Sequence, residues 1–355
     1  MMRRVRAAAP PPVRHVFVLL LENQSFEASF GPRSAAPFLA RTLAPRGALL
    51  TQYYAIGHAS LPNYVALISG QAGNEATQLD CPRFEEFRAA HAALDAHGQL
   101  AGSGCLYPRL VPTLMDQLEA AGFTWKAYLE DMGKDPARDA RTCAHVAPGA
   151  RETTIVATRA DQYAARHNPF VYFHAIIDDV ARCAAHVVGL ERLAPDLDGA
   201  ATTPNYSFIV PNLCNDGHDV PCVDGRRGGL AAIDAFLAAW VPRIEASAAF
   251  RADGLLVITF DESDRGGAAG AAACCDERAL PGTRFAPGFS GPGGGLVGAL
   301  VLSPFVAPGT VSAVPYNHYS LLRTVEELFG LPPLGYAAEP QLHGFGADVF
   351  SAAAH

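Results

Sequence analysis

The chain has 355 residues, 50% of them hydrophobic and 17% charged, enough apolar material to bury a sizeable core, which excludes disorder as the default state. A formal net charge of −8, with Lys and Arg scattered rather than gathered in a stripe, excludes nucleic acid as an expected partner. No apolar run approaches the roughly 20 residues that cross a bilayer, so no transmembrane segment is expected and the chain reads as soluble.

Met1 to Pro12 is basic and then Ala/Pro-rich, and is read as a disordered segment 1–12 without the apolar middle of a secretory signal. From His15 to Leu21 an aliphatic run stops at Glu22-Asn23, the pattern of a buried parallel strand. Helical patterns follow at Pro62 to Ser69 and at Pro112 to Ala121, the second with proline at its start. Asn205 to Val210 reads as a strand, Leu230 to Glu245 as a helix, and Gly254 to Phe260 as a strand ending at Asp261-Glu262. Leu296 to Leu302 is a fourth strand, and Tyr319 to Phe329 a helix with Gly330 just past its end.

Strands alternating with helices predict an α/β fold, a mostly parallel central sheet covered by helices on both faces. No linker cuts the chain, so one domain over 13–350 is expected. Residues 70–110 and 130–170 read as loops folded over a site. The Gly- and Ala-dense stretch 264–295 reads as a long functional or mobile loop.

The eight cysteines form an even set. Cys81, Cys105, Cys143, Cys183, Cys214 and Cys222 fall in loops or element ends, which favours disulfides and a secreted or periplasmic protein. Cys274 and Cys275 are adjacent, and because neighbouring cysteines close only a strained ring, each is expected to find a distant partner or stay reduced. The absence of C-x-x-C pairs counts against a zinc–thiolate site.

Five polar clusters carry the candidate chemistry. Glu22-Asn23 offers oxygen ligands to a hard cation at a strand end, although a solvated strand end would look the same. Ser60, in His58-Ala59-Ser60-Leu61-Pro62-Asn63-Tyr64, precedes a helix. An N-cap is the ordinary role there, yet a helix start also stabilises an anion, and a metal or base can activate the hydroxyl. Asn212 through Asp219 places two carboxylates and His218 around one glycine, a ligand cluster or a turn. Asp261-Glu262 ends another strand, and His318 opens the last helix. All five fall where open α/β sheets place ligand sites. Such a donor set suits Zn, Mn, Mg, Ca or Fe, and the reaction that fits is displacement at phosphorus.

With these motifs in hand, the chain resembles the bacterial and fungal phosphoesterase family that contains acid phosphatases, phosphatidylinositol phosphatases and, more distantly, phospholipases C. The resemblance runs from Val16 to about Gly335. It is carried by Glu22-Asn23-Gln24-Ser25-Phe26 with Phe30-Gly31, by His58 through Tyr64, by His167-Asn168-Pro169-Phe170, by Pro211-Asn212 through His218-Asp219, by Phe260-Asp261-Glu262 and by Asn317 through Thr324. It implies an alkaline-phosphatase-like fold with loop insertions over the site. It also implies a divalent metal held by Glu22, Asn23, Ser60, Asp261 and Glu262, with Ser60 as nucleophile. His218 and His318 are implied as proton carriers, and His58, Asn63 and Asp219 as substrate contacts. Ala59 stands where relatives often have proline. The implied activity is hydrolysis of phosphate monoesters, with phosphoinositides among the candidates, through a phosphoserine. The rival readings are a phospholipase C-type phosphodiesterase acting on a phospholipid headgroup, and a non-catalytic secreted binding protein on the same fold.

Overall fold

The computed structural model describes residues 10–351, apart from 137, 139–142, 265–267, 281, 282, 285 and 289–291. Most of the segment expected to be disordered, 1–12, therefore lies outside the described residues. Eight strands form the central sheet: β1 (His15–Leu21), β2 (Ala48–Leu50), β3 (Trp125–Leu129), β4 (Val187–Gly189), β5 (Tyr206–Val210), β6 (Gly254–Phe260), β7 (Ala299–Leu302) and β8 (Thr310–Ser312). Their order across the sheet is β8-β2-β7-β6-β1-β5-β3-β4. Only β7 is antiparallel to its neighbours; the other pairings are parallel.

β1 and β6 lie at the middle of the sheet and are apolar on both faces, and every residue of β6 is buried. That is why these segments read as continuous hydrophobic runs rather than as alternating ones. Their register pairs His15 with Gly254 through Leu21 with Phe260, so Glu22 and Asp261 leave the sheet side by side.

Side-chain alternation assigns the helices to faces. Val18 pairs with Phe208, and Phe17, next along, points the other way. Tyr64 of helix α1 (Ser60–Ser69) meets Phe208 edge-on, while Phe250, in the short helix Ala248–Asp253, meets Phe17. Helix α1 and the helix before β6 therefore cover opposite faces. Helices α2 (Leu114–Ala120) and α4 (His318–Phe329) pack beside α1, and α3 (Gly229–Ala246) packs beside Ala248–Asp253. The main apolar core extends from Val13 to Phe350, and Ala157, Ala164 and Leu213 form a small second cluster.

The expected elements are found with small changes at their ends. Helix α2 starts at Leu114 because Thr113 and Asp116 form a reciprocal cap. The strand expected from Leu296 starts at Ala299, after Gly298 takes a left-handed φ of 74°. The helix expected from Pro62 starts two residues earlier, so Ser60 lies within its first turn and Ala59 is the N-cap, with φ 75°. Strands β2, β3, β4 and β8 were not anticipated; three of them have only three residues.

Four disulfides join Cys81–Cys105, Cys143–Cys183, Cys214–Cys222 and Cys274–Cys275. The last corrects the expectation of distant partners or free thiols. The other six cysteines are bonded to one another, so Cys274 and Cys275 have only each other. No helix among the described residues is long and apolar enough to cross a membrane.

Candidate active site

Parallel neighbours lie about 4.8 Å apart, so acidic residues just past the ends of β6, β1 and β5 are forced together. The main chain fixes this meeting. The Glu22 N–H donates to the Asp216 carbonyl at 2.9 Å, and the Asp261 N–H donates to the Leu21 carbonyl at 2.8 Å. Asn23 turns the chain with a left-handed φ of 55°, which asparagine tolerates, and its N–H donates to Asp261 Oδ1 at 3.1 Å. Its side-chain amide reaches Glu22 Oε2 at 3.3 Å.

Helix α1 enters from above this row. The left-handed Ala59 sets its first turn so that Ser60 Oγ donates to Glu22 Oε2 at 2.9 Å. One turn on, Tyr64 Oη donates to Glu22 Oε1 at 2.6 Å; positions i and i+4 share a helix face. Asn63 holds the turn before the helix. Its Oδ1 accepts from the Ile56 and Gly57 N–H groups at 3.0 and 3.2 Å, and its amide donates to the Gly57 and Ala59 carbonyls at 2.9 Å each. Anticipated as a substrate contact, Asn63 has its side-chain groups committed to the backbone.

Three carboxylic acids, Glu22, Asp216 and Asp261, are fully buried within this space. Burial raises all three carboxyls above their ordinary range, and their mutual proximity adds to the rise for Glu22 and Asp216. For Asp261, raised to about 8, burial is reinforced by Glu262. Such a cluster is costly unless a positive charge joins it. The adjacent cation is not supplied by histidine, because burial pushes His167 well below its usual range.

His167 stacks on Tyr64 with ring centres 5.2 Å apart and places Nδ1 3.1 Å from Asp216 Oδ2. A neutral ring that donates from Nδ1 presents the Nε2 lone pair. Nε2 makes no hydrogen bond, nor does Asp261 Oδ2, although both are buried. Nε2 lies 3.4 Å from Glu22 Oε1, and Glu22, His167 and Asp216 each offer a ligand atom within 4.8 Å of the others. Buried, unpartnered oxygen and nitrogen donors beside a stack of acids fit a divalent cation. Cys214, Cys222 and Asp224 also lie close together, but both sulfurs are in a disulfide and donate no thiolate.

The other anticipated residues form two further groups. His58 is ion-paired through Nδ1 with Glu262, and its Nε2 is 2.6 Å from the Gly270 carbonyl. His318 is buried behind Asp261, with Nε2 at 2.7 Å from the Asp261 carbonyl and Nδ1 at 3.0 Å from Tyr53 Oη. Burial lowers it to about 4, so a neutral ring with both nitrogens engaged orients Asp261. His218 lies at the mouth, one-third exposed, with Nδ1 2.8 Å from Asp219 Oδ1 and Nε2 3.1 Å from Arg166 Nη2. The Cys214–Cys222 bridge closes the loop that bears Asp216, His218 and Asp219.

Sequence reasoning had not assigned site roles to Asp216, His167, Tyr64, Arg166 or Asp80. Asp216 lay within a noted cluster and His167 within a noted motif. Tyr64 was readable from its four-residue spacing to Ser60. Arg166 and Asp80 carried no local signal.

Comparison with known proteins gives a consistent picture. The model of the phosphoesterase family matches residues 32–332. A phosphatidylinositol-3-phosphatase of Mycobacterium tuberculosis is 28% identical, over 93% of this chain and 82% of its own length. A probable acid phosphatase of Kluyveromyces lactis is 27% identical, over 91% of this chain and 59% of its own. A phosphate-repressible acid phosphatase of Penicillium chrysogenum is 28% identical, over 89% and 58%. The chain thus spans somewhat over half the length of these two fungal relatives. Among solved structures, a protein of the alkaline phosphatase superfamily from Vibrio parahaemolyticus superposes over 94% of this chain and 72% of its own, at 13% identity and a TM-score of 0.51. That likeness shows the fold, which is alkaline-phosphatase-like.

Proposed function

The chain belongs to the phosphoesterase family, and we propose that it is a metal-dependent acid phosphatase acting on phosphate monoesters through Ser60, with residues 13–350 as its catalytic domain. The observation that carries this reading is the contact of Ser60 Oγ with Glu22 at 2.9 Å, at a helix start and beside two buried donor atoms without partners. A nucleophile, an acceptor for its proton and a set of buried ligand atoms are what displacement at phosphorus requires.

Glu22, Asp261 and Asp216, with His167 Nε2, would hold the cation; of the set expected from the sequence, Glu22, Asn23, Ser60, Asp261 and Glu262, the Asn23 amide is committed to Glu22 and Glu262 is paired with His58. When bound, the cation would polarise a phosphoryl oxygen and make the serine hydroxyl more acidic. The chain's own residues do the rest. Tyr64 fixes the Glu22 carboxylate, and Ser60 Oγ is aimed by that carboxylate and passes its proton toward it. The start of α1 favours the phosphoryl charge, although its Leu61 N–H is bonded to Asp80 and Pro62 has none. Ser60 Oγ bonds to phosphorus as the ester P–O bond breaks, and His218, in contact with solvent, supplies the proton to the departing alkoxide. Water then attacks phosphorus, giving a proton back to His218, as the Ser60–phosphate bond breaks and Glu22 returns its proton to Ser60 Oγ. His318 acts by holding Asp261 rather than by carrying protons.

The Mycobacterium relative's name supports a phosphoinositide headgroup as one substrate to test. The four disulfides support a secreted or periplasmic setting. The test is turnover of p-nitrophenyl phosphate across pH, with and without chelator, by wild type and Ser60→Ala. Activity that needs both the metal and the hydroxyl supports the reading. Full activity in Ser60→Ala removes the covalent step.

A further inference from the structure

Asp80 follows the single turn Thr77–Leu79 and takes a left-handed φ of 56°. Its neighbour Cys81 is bonded to Cys105, so the backbone at this point is stapled. From there Asp80 Oδ1 accepts the Leu61 N–H at 2.9 Å. Leu61 is the residue after Ser60, and the helix's own N-cap, Ala59, has no side-chain acceptor. The N–H that the first turn would offer to an incoming phosphoryl oxygen therefore already carries a carboxylate.

The surroundings of Asp80 are the outer charges of the site. Burial holds its carboxyl above the ordinary range, Arg166 opposes this, Glu262 reinforces it and His218 opposes it again. Arg166 in turn donates to the Thr154 and Ile155 carbonyls and contacts His218. Asp80 is half-buried, and the charges that reach it, Arg166, Glu262 and His218, are those of the site.

We propose that Asp80 is a specificity-determining residue: a fixed carboxylate on the Leu61 N–H that admits phosphoryl groups bearing one negative charge in preference to those bearing two. This rests on the Ser60-centred reading above. The reasoning is electrostatic. A phosphoryl oxygen reaching the helix start must share or displace the bond from Leu61, and either way it approaches a like charge. At the few ångströms involved, removing one such charge should change binding about tenfold. A monoester gains its second charge near pH ~6, whereas a diester has no second ionisation. Asp80 would therefore weaken monoester binding as pH rises through that range because of the substrate's charge, and leave diester binding level. A remote helix cap would explain the hydrogen bond alone. A cap, however, serves equally well as Asp or Asn and has no bearing on substrate charge.

The test uses the full chain with a divalent cation supplied, comparing wild type with Asp80→Asn, which keeps an oxygen for Leu61. KM is measured for p-nitrophenyl phosphate and bis(p-nitrophenyl) phosphate near neutral pH, with inhibition by orthophosphate and the melting temperature alongside. The expected result is that Asp80→Asn binds orthophosphate and the monoester about tenfold more tightly, with the diester unchanged and the melting temperature no lower, because burial already holds the carboxyl above its ordinary range. Equal changes for both esters, or weaker orthophosphate binding, would overturn the proposal in favour of a simple cap. A second reading needs no variant: wild-type KM for the monoester should rise from acid to neutral pH while that for the diester stays level, and a level monoester KM also overturns it. If wild type hydrolyses neither ester and binds no orthophosphate, the Ser60-centred reading falls and this proposal with it. Wild-type turnover with a charge-blind Asp80→Asn sinks this proposal alone.

Discussion

The inner and outer halves of the site are built on opposite plans. Inside, Glu22, Asp216 and Asp261 are fully buried, held by main-chain bonds between neighbouring strands, and carry more potential negative charge than their surroundings offset. Outside, His218 and Asp219 lie on the loop closed by the Cys214–Cys222 bridge, Asp80 sits next to the bonded Cys81, and Arg166 lies in the short turn Ala165–His167, and each has a partner within the group or on α1. The inner half gains from a cation. The outer half, exposed at His218, meets solvent and the substrate's own charge. A hydrolase of phosphate esters needs both, and the sheet edge separates them by depth.

Substitutions in the inner half should have the largest effects on activity. Ser60→Ala should lower kcat for p-nitrophenyl phosphate by about 10⁴ or more, measured in steady state, with folding unchanged by circular dichroism. Glu22→Gln should cost about 10³ in kcat/KM, comparable to the loss of a main electrostatic group. The same change should leave the metal-free protein equally stable or more so, because it removes a like charge from a buried cluster. A metal-free Glu22→Gln that melts below wild type would show that the acids stabilise each other without a cation. In the outer half, His218→Asn should reduce kcat by about 10², with a loss that shrinks for esters whose leaving groups need no proton; a uniform loss across leaving groups would contradict proton donation.

The smallest expected effect is on stability against pH. Asp261 is raised from its ordinary 3.8 to about 8, so in that interval the folded, metal-free chain holds a proton that the unfolded chain does not. The contribution is complete at low pH and is lost as pH rises toward 8. Glu277, raised to about 7 by burial, acts in the same direction. His318, lowered to about 4, acts oppositely, its contribution being lost as pH falls below 6.5. Thermal melting between neutral pH and about 8 should therefore fall without divalent cation and fall less with it. Identical curves would place the cation elsewhere.

The ends of the long buried runs were legible in the sequence, as were His218 and Asp219 beside their glycine, whereas Asp216, His167, Asp80 and Arg166 were given no site role, for a physical reason. Glu22 and Asp261 each end a seven-residue apolar run, and a run that is buried on both faces delivers its next residue to a known edge. His318 begins a strongly patterned helix that Gly330 ends with φ 69°. Asp80 and Arg166 instead depend on turns whose direction is fixed by distant partners, Cys105 and the carbonyls of Thr154 and Ile155, and no periodicity encodes those. Short strands such as β4, three residues at the sheet edge, were missed for the same reason. Even in the inner half, the helix start was misplaced by two residues. The cause is Ala59, which adopts a left-handed conformation that alanine rarely takes, and this shift is what turns Ser60 toward Glu22 rather than leaving it as a cap.

The central claim is that Glu22, Asp216, Asp261 and His167 hold a divalent cation beside the Ser60 hydroxyl. Metal content by plasma mass spectrometry on gently purified full-length protein, wild type against Asp261→Asn, tests it most directly. The account predicts that wild type carries a divalent cation that the variant loses together with turnover of p-nitrophenyl phosphate; a metal-free wild type that hydrolyses the ester at full rate in chelator would contradict it.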